Sequence, residues 1–142
     1  GTPTISDPGV MLISLIKEKF GKDVRILTIP GASALTAALS VSGISSAKFV
    51  FYGFLPHKKG RETIFKEIAE SDKTCVFFES THRIEKALES LKQVLGDDKR
   101  VVVTKELTKV FEEVMEGSAS DVLEYLKENE DKKKGEFVVI VG

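Results

Sequence analysis

Cysteine and histidine are scarce in this sequence of 142 residues, which contains one cysteine and two histidines. A single thiol, Cys75, excludes an intrachain disulfide framework. His57 and His82 belong to no Cys/His cluster with the spacing of metal ligands, so we expect no metal-dependent mechanism. Any chemistry must therefore use carboxylates, lysines or a bound cofactor, and the low cysteine content favours a reducing, cytoplasmic location.

An excess of charge of either sign is also lacking. The 21 Lys and Arg residues nearly balance the 22 Asp and Glu residues, and the net charge is -1. The chain as a whole therefore creates no field that would attract nucleic acid, and any RNA contact must come from a local basic patch. The longest apolar runs, such as Val101–Val103 and Phe137–Val141, are far shorter than the roughly 20 residues of a membrane span. We expect neither a span nor, from the first residues, a secretion signal.

Strand-like and helix-like segments alternate along the chain. We predict helices at about residues 9–20, with Asp7 as N-cap, and at 33–41, 62–69, 83–95 and 120–129. We predict strands at about residues 24–29, 49–55, 75–78, 100–104, 110–116 and 137–141. This alternation predicts an α/β fold in which helices flank a mixed sheet. We expect residues 1–47 to be the remnant of a first domain and residues 48–142 to form a second α/β domain.

Four polar segments stand where a ligand could bind. In open α/β sheets, ligands bind beyond the carboxyl ends of the strands, in the loops that lead to helices. The segments cover residues 1–9, 29–34, 78–83 and 104–109. On sequence alone a helix cap is the favoured explanation of residues 1–9, a tight turn explains residues 29–34 equally well, and a solvated turn is a common explanation for residues 104–109. The carboxylate of Glu79, at the end of a buried strand, has no such simple explanation.

Two short basic clusters complete the set of candidate sites. The first contains Lys58, Lys59 and Arg61, and the second is Lys132-Lys133-Lys134. Short charge runs are usually solvated loops. If these clusters contact phosphates instead, they act by releasing counterions, and binding weakens steeply with salt.

Six motifs, read together and in this order, resemble the bacterial small-subunit ribosomal RNA methyltransferase I family of the tetrapyrrole-methylase superfamily. They are Gly-Thr-Pro-Thr-Ile-Ser-Asp-Pro-Gly at residues 1–9, Pro-Gly-Ala-Ser-Ala at 30–34, Tyr-Gly-Phe-Leu-Pro at 52–56, Phe-Glu-Ser-Thr-His-Arg at 78–83, Lys-Glu-Leu-Thr-Lys at 105–109 and Lys-Gly-Glu at 134–136. The motifs at 78–83 and 105–109 distinguish the ribosomal RNA branch from its porphyrinogen-methylating relatives.

The resemblance implies a two-domain α/β enzyme, usually a homodimer, that binds S-adenosylmethionine between its domains. Such an enzyme methylates the ribose 2′-hydroxyl of a cytidine in 16S ribosomal RNA, either free or in the 30S subunit. This chain would be the carboxy-terminal part. The family's amino-terminal strand and glycine-containing loop, which supply part of the cofactor site, do not occur in it, so we expect the chain alone to be incomplete for catalysis.

The resemblance also implies roles for single residues. Carried over by position, the cofactor-binding residues are Gly1, Thr2, Pro3, Ser33, Ala34, Phe78 and Leu107. Because they follow buried strands at the ligand edge, the candidates for general base or for stabilising the alkoxide are Glu79, Lys105 and Glu106. The candidate RNA-binding residues are Lys58, Lys59, Arg61, Arg83, Lys133 and Lys134.

Two other interpretations stay open. The superfamily shares one fold, and fold alone does not determine substrate, so the protein could methylate a tetrapyrrole or another small molecule. In a different class, it could be a non-catalytic module that docks on RNA or dimerises through its basic loops.

Overall fold

A computed structural model describes residues 1–96 and 98–142. The chain divides into two compact units, Gly1–Ala34 and Leu35–Gly142. The domain boundary predicted after residue 47 stays a prediction. None of the helices in the described residues is both long and apolar enough to cross a membrane.

The first unit contains one helix, α1 (Gly9–Phe20), followed by a short 3-10 turn at Gly21–Asp23. The predicted helix is confirmed, although its N-cap residue is Pro8 rather than Asp7. Asp7 still serves the helix start, because its carboxylate accepts a hydrogen bond of 2.9 Å from the N–H of Gly9. This N–H is one of the first-turn donors that have no partner within a helix.

The strand predicted at residues 24–29 is wrong. These residues form no regular structure, and their apolar side chains are exposed. The first unit contains no strand, so within that unit the segment has no neighbouring strand with which to pair. A strand is stable only in a ladder, whatever the apolar content of its sequence.

The second unit is a five-stranded mixed sheet with helices on both faces, as predicted. Along the chain its elements are α2 (Ala34–Val41, which begins at the unit boundary), β1 (Phe49–Phe54), α3 (Arg61–Glu70), β2 (Thr74–Ser80), α4 (Ile84–Leu95), β3 (Val101–Lys105), β4 (Glu113–Gly117), α5 (Ala119–Glu128), a 3-10 turn (Glu130–Lys133) and β5 (Glu136–Val141). The strand order is β1-β2-β5-β3-β4. Strands β1, β2 and β3 run in one direction, and β4 and β5 run in the other.

Helices α3, α4 and α5 cover one face of the sheet, which we call the helical face. In α4 the buried residues fall at the three- and four-residue spacing of one helical stripe: Ile84, Ala87, Leu88, Leu91 and Leu95. The opposite face packs on α2 through a smaller cluster that includes Val76, Val102 and Ile140. Because side chains alternate along a strand, β1, β2, β3 and β5 each supply residues to both cores, whereas β4 supplies Met115 to the core of the helical face.

The strand predicted at residues 110–116 begins later than expected, at Glu113. Two successive turns precede it, in which the N–H of Lys109 donates to the carbonyl of Glu106 and the N–H of Glu112 donates to that of Lys109. These turns keep Val110 and Phe111 out of the sheet, with 92% and 73% of their surfaces exposed. The apolar residues 110–111 therefore belong to an exposed loop and not to a strand.

Candidate functional site

The carboxyl ends of β1, β2 and β3 meet at one edge of the sheet, together with the starts of β4 and β5. We call this the carboxyl edge and define it as residues 55–61, 78–83, 104–112 and 134–136. It contains the first basic cluster and the motifs predicted from residues 78–83, 104–109 and 134–136. The structure thus brings together the predicted segments that belong to the second unit.

Glu79 lies at the centre of a buried charge cluster on the helical face. Its side chain is fully buried, and its two carboxylate oxygens lie 2.7 Å from the Arg61 guanidinium and 2.9 Å from that of Arg83. Arg83 also donates to the carbonyl of Leu55, at 3.1 Å. The cluster therefore ties the end of β1 to the end of β2, and its three charges sum to one positive charge beside the exposed Lys58 and Lys59.

A second set of bonds holds the loop that precedes β5. The Thr81 hydroxyl donates to the carbonyl of Gly135 and accepts from its N–H, both at 2.8 Å. The Glu106 carboxylate accepts from the N–H of Glu136 at 2.9 Å. A side chain at Gly135 would meet Glu106, because a Cβ there would lie 2.6 Å from its Cγ. Thr81 and Glu106 thus fix the backbone from which Lys134 projects.

Glu106 is held as an anion. Its pKa is lowered, first by the hydrogen bond from the Glu136 N–H and then by the Lys109 ammonium, which lies 2.9 Å away. Lys109 also pairs with Glu136 at 2.9 Å, and these two carboxylates raise its pKa. A carboxylate with a lowered pKa accepts a proton less readily, so this geometry disfavours strong general-base action by Glu106.

The turn that carries Glu106 is under backbone strain. Glu106 and Thr108 have φ values of 48° and 65°, in the region that favours glycine. The N–H of Thr108 donates to the Glu112 carboxylate, which supports this conformation. Strained backbone of this kind costs about 1–3 kcal/mol per residue and occurs preferentially in ligand-binding loops.

Lys105 is the last residue of β3 and lies on the helical face, with only 3% of its surface exposed. Its cross-strand neighbours are Phe137 on β5 and Glu113 on β4. The Glu113 carboxylate is already engaged by the Tyr125 hydroxyl, at 2.5 Å, and by Lys132, at 3.2 Å. Among the described residues, no carboxylate forms an ion pair with Lys105.

Phe78 and Leu107 lie on the opposite face of the sheet, where both are half-buried against the smaller core. The ring of Phe78 packs edge-on against those of Phe51 and Phe54, with centroid distances of 4.9 and 5.4 Å. Thr104 faces the same side, in register with Phe78 across β5. Its hydroxyl is buried and has no hydrogen-bond partner among the described residues. Two predicted cofactor residues thus share an apolar surface with one unsatisfied hydroxyl.

The other predicted cofactor residues lie in the first unit. Thr2 donates to the carbonyl of Ala32 through its N–H, at 2.6 Å, and through its hydroxyl, at 3.0 Å. This pairing brings the loop of Gly1, Thr2 and Pro3 next to the turn that leads to Ser33 and Ala34. The two predicted cofactor segments of the first unit are therefore adjacent.

The basic residues differ in whether they form ion pairs with acidic side chains. Lys58, Lys59 and Lys134 are exposed and form no ion pair with any described residue. Lys133 pairs with Glu130 and with Glu85, and these carboxylates raise its pKa. Lys132 is occupied by Glu113, which raises its pKa in turn.

Several residues of the carboxyl edge received no role in the sequence analysis, and Thr81, Phe111 and Gly135 are the ones whose contacts or exposure matter most to the site. Thr81 stands within a recognised motif, but its bonds to Gly135 join segments far apart in sequence. Phe111 was assigned to a strand. A signal existed for Gly135, because a glycine between a lysine run and a strand is typical of a tight turn. Among the described residues, no group of His, Cys, Asp and Glu side chains could hold a metal ion.

Comparison with known proteins agrees with this fold and identifies the class of protein as an α/β methylase. A family model described as Tetrapyrrole (Corrin/Porphyrin) Methylases matches residues 1–123. The chain therefore belongs to the tetrapyrrole methylase family, which confirms the resemblance inferred from the six motifs.

Relatives with similar sequences carry one name. The chain is 43% identical over 142 residues to the Ribosomal RNA small subunit methyltransferase I of Haemophilus influenzae, covering 99% of this chain and 49% of the relative. The protein of the same name from Escherichia coli O157:H7 is 41% identical, with coverage of 99% and 49%. The chain thus spans about half the length of these relatives.

Solved structures with the same fold are more distant in sequence. The cobalt precorrin-4 methyltransferase of cobalamin biosynthesis is 16% identical, with a TM-score of 0.69 over 99% of this chain and 60% of that one. The methyltransferase CobJ is 18% identical, with a TM-score of 0.70 over 100% of this chain and 61% of that one. At this level of identity the likeness establishes the fold and leaves the substrate open.

Proposed function

We propose that this chain is the carboxy-terminal part of an S-adenosylmethionine-dependent enzyme that methylates the ribose 2′-hydroxyl of a cytidine in 16S ribosomal RNA. The observation that carries the proposal is the 43% identity over 99% of the chain to a relative named Ribosomal RNA small subunit methyltransferase I. The identity to the corrin methylases of the same fold is only 16–18%. We further propose that the whole enzyme works as a homodimer in the cytoplasm.

The apolar surface around Phe78 and Leu107 fits one side of the cofactor. Flat apolar walls suit an adenine ring, and the buried Thr104 hydroxyl offers a polar contact that no described residue satisfies. Gly1, Thr2, Pro3, Ser33 and Ala34, all in the first unit, stay our candidates for cofactor contacts, as the family resemblance implies. When bound, S-adenosylmethionine supplies an electrophilic methyl group on a sulfonium.

The basic residues of the carboxyl edge support RNA binding. Lys58, Lys59 and Lys134 are free to contact phosphates, whereas Arg61 and Arg83 are oriented by Glu79. Bidentate guanidinium groups held in this way suit phosphate oxygens. Lys133 is the weakest of the six predicted RNA contacts, because Glu85 and Glu130 already engage it.

Methyl transfer forms a bond between the ribose oxygen and the methyl carbon, breaks the carbon–sulfur bond and releases the hydroxyl proton. Glu79, Lys105 and Glu106 stay our candidates for assisting this proton release. The pKa of Glu106 is lowered, which does not suit a strong base, and both oxygens of Glu79 are already engaged by Arg61 and Arg83. We therefore propose that alignment of the reacting atoms supplies most of the acceleration.

The test is a methyl-transfer assay on the full-length protein, with radiolabelled S-adenosylmethionine. 30S subunits and uroporphyrinogen serve as alternative acceptors. We expect label in 16S RNA and none in the tetrapyrrole. Transfer to uroporphyrinogen alone would establish the small-molecule alternative. Absence of both transfer and cofactor uptake would favour the non-catalytic module.

A kinetic comparison tests the role of Glu79 in the same assay. If Glu79 orients Arg61 and Arg83 for RNA, Glu79→Gln raises KM for 30S subunits several-fold and changes kcat less. A fall in kcat at unchanged KM, with cofactor binding intact, would instead make Glu79 the catalytic base.

A further inference from the structure

A cavity of about 460 Å³ opens at the carboxyl edge, on the side of β3 and β4. Its walls come from the strained turn after β3, from the 3-10 turn at Glu130–Lys133 and from the loop of Lys134 and Gly135. It lies apart from the apolar surface of Phe78 and Leu107, because Lys105, which lines it, points to the helical face. Small-ligand sites occupy about 300–1,000 Å³, so the volume suits a ligand the size of one nucleotide.

Lys105 gives this cavity a buried positive charge. The residue is only 3% exposed, and no described carboxylate forms an ion pair with it. Glu106 and Glu113 interact with it only at longer range, where its charge helps to lower the pKa of both carboxyls, and Glu113 is bonded to Tyr125 and Lys132. Burying an ammonium without a close partner is costly, and a bound anion would offset part of that cost. Lys134, at the rim of the cavity, is a second ammonium with no ion pair among the described residues.

An exposed aromatic ring stands beside these cations. Phe111 lines the cavity with 73% of its surface exposed, next to Val110 at 92%. Both residues lie on a turn held by hydrogen bonds, and both present exposed apolar area to the cavity. An unstacked base binds to a surface of this kind, and the stacking contributes about 1–3 kcal/mol per base.

The acidic residues of the cavity narrow the choice of ligand. Glu106 is engaged by Lys109 and the Glu136 N–H, and Glu112 accepts from the Thr108 N–H. Asp131, also on the wall, forms no close ion pair with any described residue, although its charge helps to raise the pKa of the neighbouring Lys132. A simple anion would be repelled by Asp131. A nucleotide has a phosphate that can bind the ammonium groups. On cytosine or adenine it also has an amino group that can donate a hydrogen bond to a carboxylate.

We propose that this cavity binds one unpaired nucleotide of an RNA ligand, with its phosphate on Lys105 and Lys134 and its base against Phe111. The inference rests on the proposed function, because it takes RNA as the ligand. It adds a contact site that shares only Lys134 with the six RNA-binding residues proposed above. Only single-stranded or flipped-out nucleotides fit, since a base stacked within a duplex cannot reach the ring.

Fluorescence anisotropy with a labelled single-stranded hexanucleotide, RNA of mixed sequence, tests the proposal on the 142-residue protein. We expect Phe111→Ala and Lys105→Met each to weaken binding about tenfold, and Lys134→Met about threefold. Matched controls are Phe20→Ala and Lys86→Met, exposed residues outside the cavity, which should stay within twofold of the parent. Circular dichroism verifies that Lys105→Met is folded, and Phe111→Ala tests the site without altering a buried residue.

Three outcomes would overturn the proposal. They are equal binding by Phe111→Ala and Phe20→Ala, equal binding of the hexanucleotide and of a duplex of the same sequence, and no binding of single-stranded RNA by the parent protein. A full-length Phe111→Ala variant could bind the hexanucleotide as the parent does and still methylate 30S subunits fully. That result would contradict nucleotide binding in the cavity and leave the proposed function intact. Inorganic phosphate that competes as well as a mononucleotide would show an anion site only, which also contradicts the proposal.

Discussion

Glu79 carries a charge whose burial is costly, and two arginines offset that cost. Replacing Glu79 by Gln leaves the Arg61 and Arg83 guanidinium groups, 12% and 17% exposed, without their anion. Removing one partner of a buried ion pair costs about 3 kcal/mol. We therefore expect Glu79→Gln to lower the free energy of unfolding by about 3 kcal/mol, measured by urea denaturation at neutral pH.

Glu116 supplies the matched control for this prediction. It pairs with Arg100 at 2.6 Å, but both side chains are about half exposed. Water screens such a pair, so Glu116→Gln should cost at most about 0.5 kcal/mol. Equal losses for the two variants would mean that burial of the Glu79 cluster contributes nothing to its strength.

Gly135 is required at its position for two reasons. Its φ of 129° is unfavourable for any side chain, and a Cβ would lie 2.6 Å from the Cγ of Glu106. We expect Gly135→Ala to destabilise the protein by about 2–4 kcal/mol in thermal or urea unfolding. Gly60, with φ of 86° and open space around it, is the control and should cost about 1 kcal/mol when changed to Ala. The reverse order would contradict the contact between Gly135 and Glu106.

The connection between β4 and the 3-10 turn at Glu130–Lys133 depends on the charge of Glu113. Burial raises the pKa of this carboxyl, but hydrogen bonds from Tyr125 and Lys132 outweigh it, and the net pKa is lowered. A lowered folded-state pKa adds stability above the unfolded-state value of about 4.5, and that stability is lost as pH falls through the folded-state value.

Thermal unfolding of Glu113→Gln between pH 7 and pH 3 tests this link. At neutral pH we expect the variant to be about 1 kcal/mol less stable than the parent. The difference should shrink below pH 4.5, where the parent's carboxyl takes up its proton. A difference that stays constant over this range would show that the Glu113 charge does not hold the turn.

Helix α5 begins with a capping box. The helix was predicted from the sequence, but this cap was not. The Ser118 hydroxyl accepts from the N–H of Asp121, and the Asp121 carboxylate accepts from that of Ser118. Ser118→Ala should cost about 1 kcal/mol in urea unfolding. Ser40, whose hydroxyl bonds the Ala37 carbonyl within α2, serves as control and should change stability by less than about 0.5 kcal/mol. Equal effects would show that the cap does not stabilise α5.

The elements predicted well from the sequence are those whose own residues determine their secondary structure. The apolar stripe of helix α4 and its terminal Gly96 are visible in the sequence, and β5 is a continuous apolar run. The predictions were wrong where secondary structure depends on a neighbouring segment. Residues 24–29 have strand-like letters without a neighbouring strand, and Val110 and Phe111 are removed from β4 by turns at residues 106–112.

The candidate site was predictable in its position but not in its contacts. Alternation along β2 already implies that Phe78 and Glu79 face opposite sides of the sheet. Arg83 lies only four residues from Glu79, so that ion pair is local, but Arg61 reaches Glu79 because β1 and β2 are neighbours in the sheet. Local sequence contains no record of the antiparallel insertion of β5 between β2 and β3, which brings Gly135 to Thr81.

For the molecule as a whole, the near-zero net charge means that RNA binding must depend on a few local cations. Lys58→Ala combined with Lys59→Ala should reduce the slope of log affinity against log salt by roughly 1.4, because each phosphate contact contributes about 0.7 with single strands. Lys86→Ala combined with Lys92→Ala, on exposed positions of α4, should leave the slope unchanged. Equal slopes for both double variants would contradict RNA binding at the basic loop.

The position of the transferred methyl group tests the account most directly. After reaction of the full-length protein with 30S subunits and radiolabelled S-adenosylmethionine, the 16S RNA is hydrolysed in alkali, which cannot cleave next to a 2′-O-methyl ribose. We predict that the label appears in one alkali-resistant dinucleotide whose 5′ nucleoside is cytidine. Label in ordinary mononucleotides would place the methyl group on a base and contradict ribose methylation.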